Sequence, residues 1–288
     1  MILSSAPRVA VPLVLQRQLT AIGQIYFQDS PIFGTVLLLC LYLSGPVLAL
    51  GCMLGVGSAT LAAWALRLPT ERRDNGLYSY NGALTGIGLC ASYQFGGALL
   101  LWIAAAGALT AALTCAAERA GISPLTLPFV LMMWLAGACA GAVGADSGLQ
   151  GVAPPADACG TSAVSYLFCP VGQAAFIGVA PLGMLLWAAM ARRRWHMAMW
   201  GLSGAALSWL SITLAGRLWP GAGIEAHVAG AGINSTLCML ALSTGATRWP
   251  LRLAGACLSI ALSVALGDAG LAYYTLPFIL ATWLARCR

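Results

Sequence analysis

The sequence predicts an all-α polytopic membrane protein: ten membrane segments forming two inverted five-segment repeats, with discontinuous, half-membrane helices around a central path. Three observations carry this expectation. Of 288 residues, 60% are hydrophobic and 8% are charged, against about 25% charged in ordinary globular domains. Apolar runs, divided by Arg or by Gly/Pro/Asn turns, recur along the chain. Three motifs also occur twice in the same order.

Composition excludes classes first. The 14 basic and 8 acidic residues cannot cover a soluble surface of this size, which removes a soluble enzyme. Every basic residue is Arg, and the longest basic run is Arg192-Arg193-Arg194. This punctuates loops and is not a nucleic-acid surface. Arg8, Gln16, Arg17 and Gln18 interrupt any signal-peptide core near the start.

The apolar runs fall near 32–44, 46–66, 77–91, 96–117, 126–143, 174–191, 197–216, 231–245, 253–267 and 273–285. Runs of about 15 residues reach only ~22 Å, short of ~30 Å of hydrocarbon. Such runs predict either broken helices lining a path or tilted neighbours with misjudged ends. With the N-terminus inside and a crossing at every run, 13 of 14 Arg fall inside and only Arg217 outside. The positive-inside rule thus places both termini in the cytoplasm; a cell (inner or plasma) membrane is the expected location. The loop 144–170, holding Asp146 and Asp157 but no base, then lies outside.

The duplication divides the chain. Gly23-Gln24-Ile25-Tyr26-Phe27 matches Gly172-Gln173-Ala174-Ala175-Phe176, an offset of 149. Thr126-Leu127-Pro128-Phe129 and Trp134 match Thr275-Leu276-Pro277-Phe278 and Trp283 at the same offset. Asn81 matches Asn234 at 153. The expected units are 1–143 (first repeat), 144–170 (extracytoplasmic linker) and 171–288 (second repeat). An odd number of crossings per half makes the second enter from the opposite face, which brings matching residues together at mid-depth.

No ionisable residue lies well inside any run: Asp29, Glu118 and Asp268 sit at ends, and His196 and His227 in loops. Proton relays and ion coupling need intramembrane charge, so a neutral solute moving down its gradient is expected. Hydrolysis within the membrane lacks its carboxylate pair, Ser/His pair or metal cluster. The protein is therefore expected to be no enzyme and to use no cofactor or metal.

The paired residues then carry the chemistry. Gln24 and Gln173 offer amide groups to a solute or to neighbouring helices. Phe27 and Phe176, three residues on, either fill the core or form a slot admitting only flat molecules. Thr126 and Thr275, two residues before Pro128 and Pro277, either offer hydroxyls to the path or cap the helices they precede. Asn81 and Asn234 are expected to tie down helix breaks. A flat, uncharged solute rich in N–H donors fits this set, because stripping an amide of water without replacement costs roughly 2–7 kcal/mol.

On these motifs the chain resembles the urea transporter family over nearly its whole length. Thr126-Leu127-Pro128-Phe129 and its repeat keep the core of the family signature. Gly23-Gln24-x-x-Phe27-x-x-x-Pro31-x-x-Gly34 and Gly76-Leu77-Tyr78-Ser79-Tyr80-Asn81 are also similar to family motifs. The resemblance implies a homotrimer in the lipid bilayer, with one pore per subunit, and passive, channel-like urea transport. It implies a filter at Gln24, Phe27, Tyr80, Leu84 and Thr126, with Gln173, Phe176, Leu237 and Thr275 in the second half. Another small neutral solute (short amides, ammonia, water) is the alternative cargo. Tyr80 is expected to tolerate change best, because its repeat partner is the aliphatic Ile233.

Cys159 and Cys169 share the outside loop, where thiols can oxidise. They are expected either to pair as a disulfide or, for Cys169 beside Pro170, to be buried singly as a small apolar residue.

Overall fold

Helices form wherever an apolar run is bounded by a start and a stop signal. The computed structural model describes residues 12–152, 159 and 162–287. Arg8, Asp157, Gly160, Thr161 and Arg288 lie outside the described residues. The first half contains α1 (Leu13–Gln24), α2 (Pro31–Ser44), α3 (Pro46–Ala65), α4 (Thr70–Asp74), α5 (Tyr80–Ser92), α6 (Gly97–Arg119) and α7 (Leu127–Val143). The second contains α8 (Ala163–Gln173), α9 (Ala180–Leu218), α10 (Val228–Ser243), α11 (Trp249–Asp268) and α12 (Leu276–Arg286). Among the described residues no strand forms; Tyr93 and Gly151 make one isolated bridge.

Starts follow local chemistry. Ser30 caps α2 by accepting a hydrogen bond from the Phe33 amide (3.3 Å), with Pro31 at the first helical position. Ser162 does the same for α8, accepting from the Ser165 amide at 3.2 Å. Five helical stretches are long and apolar enough to cross a membrane: Pro46–Ala65, Gly97–Arg119, Ala180–Leu218, Ile224–Ser243 and Trp249–Asp268. Their outward faces carry exposed apolar residues such as Leu61, Leu101 and Leu214, the surface expected of a membrane-embedded protein.

Besides the five-residue α4, two helices lie outside the ten apolar runs. In α1, Arg17 and Gln18 break the run because they serve inward partners: Arg17 pairs with Asp74 at 2.7 Å, and Gln18 Oε1 accepts from Thr60 at 3.4 Å. Helix α8 occupies 163–173, running from the last part of the stretch read from sequence as a linker (144–170) into the start of the second repeat. The runs 174–191 and 197–216 are joined as α9, which bends at Arg194 (φ −137°, ψ 67°). Arg193 and Arg194 both hold Asp29 at this bend, at 3.1 and 2.8 Å.

Glycine permits the tightest crossings. A Cβ on Gly34 would stand 1.8 Å from the Leu19 carbonyl oxygen, and one on Gly183 would stand 2.1 Å from that of Phe168. These two contacts, α2 on α1 and α9 on α8, are the same contact 149 residues apart. Cross-links between the halves are also paired. The Trp134 indole donates to the Ala272 carbonyl, and the Trp283 indole donates to Ser123 at 2.9 Å. The Tyr26 hydroxyl adds a buried bond to the Val171 carbonyl.

Candidate functional site

Gln24 and Gln173 are the last residues of two short helices, and the chain turns immediately beyond each. The Phe27 amide bonds the Gln24 carbonyl at 3.0 Å, and the Gln28 amide bonds Gly23 at 3.1 Å. The Phe176 and Ile177 amides repeat the pattern on Gln173 and Gly172, at 2.9 and 3.0 Å. This is the helix stop that normally ends on a left-handed glycine. Here Phe27 (φ 58°) and Phe176 (φ 61°) hold that position, at a cost of about 1–2 kcal/mol each. A strained aromatic where glycine is cheapest points to a use for the ring.

Each ring reaches into the other half. Phe27 meets Phe278 edge-on with ring centres 6.4 Å apart, and Phe176 meets Phe129 edge-on at 6.3 Å. Phe129 also packs edge-on against Tyr274 at 5.7 Å. These edge contacts are favourable aromatic geometry.

Before α7 and α12 the backbone turns left-handed again, at Leu125 (φ 44°) and Tyr274 (φ 47°). Asn81 secures the first turn. Its Nδ2 donates to the Leu125 carbonyl (3.0 Å), and its Oδ1 accepts from the Phe129 amide (3.4 Å). Asn234 secures the second, donating to Tyr274 (3.1 Å) and accepting from the Phe278 amide (3.0 Å). The two Asn were expected to tie down breaks in their own helices, α5 and α10; these bonds reach instead to the turns before α7 and α12.

Thr126 and Thr275 come next, and they bond each other: the two hydroxyl oxygens are 2.7 Å apart, with both residues buried. Neither caps its own helix, so the capping alternative does not hold.

Tyr80, Leu84 and Gly88 lie four residues apart on one face of α5, a span of about 12 Å. At one end Tyr80 shares a cavity of about 190 Å³ with Gln24, Phe27 and Leu125. At the other, a Cβ on Gly88 would stand 3.0 Å from Phe129 and 3.2 Å from Phe176. This face therefore runs from the surroundings of Phe27 to those of Phe176. Leu84 and Leu237 are both buried.

Tyr80 is less free than its aliphatic repeat partner suggests. Its hydroxyl donates to the Leu125 carbonyl, the oxygen that Asn81 also holds, a restraint that the aliphatic Ile233 cannot supply. Gln24 is oriented as well: Nε2 donates to the Asn75 carbonyl at 3.1 Å, leaving Oε1 as its acceptor. Gln173, half-buried, borders a second cavity of about 270 Å³, together with Ser208, Trp209, Cys159 and Cys169. Those two cysteines are disulfide-bonded, with Cα atoms 6.1 Å apart.

Sequence reasoning passed over Gly88, Leu125 and Tyr274. The spacing of Tyr80, Leu84 and Gly88 carried a signal for the first, and the 149-residue offset carried one for the other two.

A family model described as "Urea transporter" matches residues 15–287. The match spans nearly the whole sequence, and the chain belongs to the urea transporter family, whose members are transporters and not enzymes.

Proposed function

We propose that this chain passes urea across the cell membrane passively, along a path from Gln24 and Phe27, past the Thr126–Thr275 pair, to Phe176 and Gln173. The observation that carries the reading is the contact between the two buried Thr hydroxyls. It pairs equivalent residues of the two sequence repeats at the one place where both offer an uncharged group of interchangeable donor and acceptor character. A urea molecule that displaces this bond meets an acceptor and a donor on opposite sides. Phe27 and Phe176 flank the path with apolar rings, and Gln24 Oε1 accepts an N–H at its end. Tyr80, Leu84 and Leu237 line it.

The remaining parts of the reading are the two inverted repeats, ten crossings, both termini in the cytoplasm and a homotrimer. The recurrence of bonds at Phe27/Phe176 and Trp134/Trp283, 149 residues apart, and at Asn81/Asn234, 153 apart, supports the first. Placement of Arg supports the orientation. The disulfide between Cys159 and Cys169 fits an outside, oxidising location for that loop.

Stopped-flow light scattering on proteoliposomes tests the cargo. Urea should equilibrate faster than thiourea or acetamide, at a rate unchanged when proton and sodium gradients are collapsed. Equal acceleration of all three solutes would favour a general channel for small neutral molecules.

A further inference from the structure

The cavity holding Gln24, Phe27 and Tyr80 is lined also by Arg72, Glu118 and Arg286. Glu118 is the only carboxylate among its described lining residues. One oxygen takes Arg72 Nη2 at 3.2 Å, and the other accepts from the Tyr78 hydroxyl at 3.0 Å. The Glu118 side chain is 15% exposed, while that of Arg72 is 51% exposed, so the guanidinium lies on the solvent side of the carboxylate. Arg286 adds a second positive charge; its Nη2 donates to the Ala241 carbonyl at 2.8 Å and to Thr244 at 3.4 Å.

Glu118 stands in the last turn of α6, where a negative charge opposes the helix dipole. The helix dipole gains nothing from it, and its carboxylate borders the cavity. An unmasked carboxylate there would collect cations. Guanidinium is planar, has the outline of urea and bonds a carboxylate in bidentate fashion. Seated on Glu118 inside about 190 Å³, it would stand in front of Gln24 and Phe27.

We propose that Arg72 is a specificity-determining residue: its guanidinium occupies Glu118 at the mouth of this cavity and so keeps cations from lodging there, leaving the entrance open to neutral amides. The inference rests on the reading that this cavity is one end of the urea path. With Glu118 so held, the remaining charge at the mouth is the positive Arg286, which repels ammonium and guanidinium further. A purely structural link between α4 and α6 would need the same ion pair but would not set the response to cations added on the face that this cavity opens to.

The test is urea flux in proteoliposomes, with guanidinium chloride at millimolar, non-denaturing concentration and matched sodium chloride as control. Wild-type flux should be indifferent to guanidinium. R72Q, which uncovers the carboxylate, should be inhibited at a concentration at least ten-fold lower, and R72Q/E118Q should regain wild-type indifference. R72Q that carries urea yet stays as insensitive as wild type overturns the inference, as does a double variant that stays sensitive. If R72Q does not fold, R72K takes its place: a smaller shift in the same direction is required, and no shift overturns the inference. Absence of urea flux in the wild type overturns the urea reading itself, and this inference with it.

Discussion

Thr126 Oγ1 lies 2.7 Å from Thr275 Oγ1, a buried hydrogen bond between residues 149 apart. Each Thr immediately precedes a helix, α7 or α12, and follows a left-handed residue held by an Asn. The hydroxyls are therefore fixed by backbone geometry and not by their own rotamers alone. They also satisfy each other, so substitutions at the two positions are coupled.

That coupling is measurable as stability. T126V or T275V alone leaves one buried hydroxyl without its partner, at a cost of about 1–3 kcal/mol. The double variant removes both hydroxyls and should cost less than the sum of the singles. Denaturation in detergent, read as a double-mutant cycle, gives the answer; strict additivity would mean that the bond contributes nothing.

Replacing the strained rings separates backbone from side chain. F27G and F176G relieve about 1–2 kcal/mol of left-handed strain, while each loses an edge contact worth about 0.5–1.5 kcal/mol. Both should stay folded, yet pass dimethylurea several-fold faster relative to urea. An unchanged permeability ratio in both variants would remove the rings from the path.

Gly88 should be intolerant of bulk. An added methyl would stand 3.0 Å from Met133 Sδ and 3.2 Å from the tip of Phe176, so G88A should slow urea and G88V should slow it further. Gly57, with nothing within 4 Å of an added Cβ, supplies the control: G57A should match wild type. Normal flux through well-folded G88V would show that this face of α5 does not line the path.

The parts of the molecule most legible in the sequence were those with strong contrast. Long apolar helices such as α3, α6 and α11 stood out because their runs are bounded by Arg, Pro or Gly. The repeat was legible because Gln24, Phe27, Thr126 and their counterparts carry distinctive side chains at one offset. Helices α1 and α8 were not, since Arg17 and Gln18 serve half-buried partners and break the apolar pattern, while Pro170 sits inside α8. The bond between the two Thr hydroxyls joins distant segments, and no local pattern encodes it. Likewise the restraint on Tyr80 comes from the Leu125 carbonyl, a backbone atom with no signature in the side-chain sequence.

The disulfide between Cys159 and Cys169 closes a short loop of separation 10, so its effect on stability should be modest, about 2–3 kcal/mol. Mass spectrometry without reductant should find the peptide containing both residues cross-linked. C159S/C169S should lower thermal stability while retaining urea flux. Two free thiols in protein purified from an oxidising compartment would contradict the pairing.

Solute exchange with the Thr126–Thr275 bond is measured most directly by the urea permeability of proteoliposomes carrying wild type, T126S/T275S or T126V/T275V, each verified as folded. The Ser variant keeps both hydroxyls and should match wild type. The Val variant keeps the shape but loses the hydroxyls that replace water on urea. Leaving urea unpaired there costs about 1–3 kcal/mol, so flux should fall about five-fold or more. Wild-type urea flux through folded T126V/T275V would contradict the account.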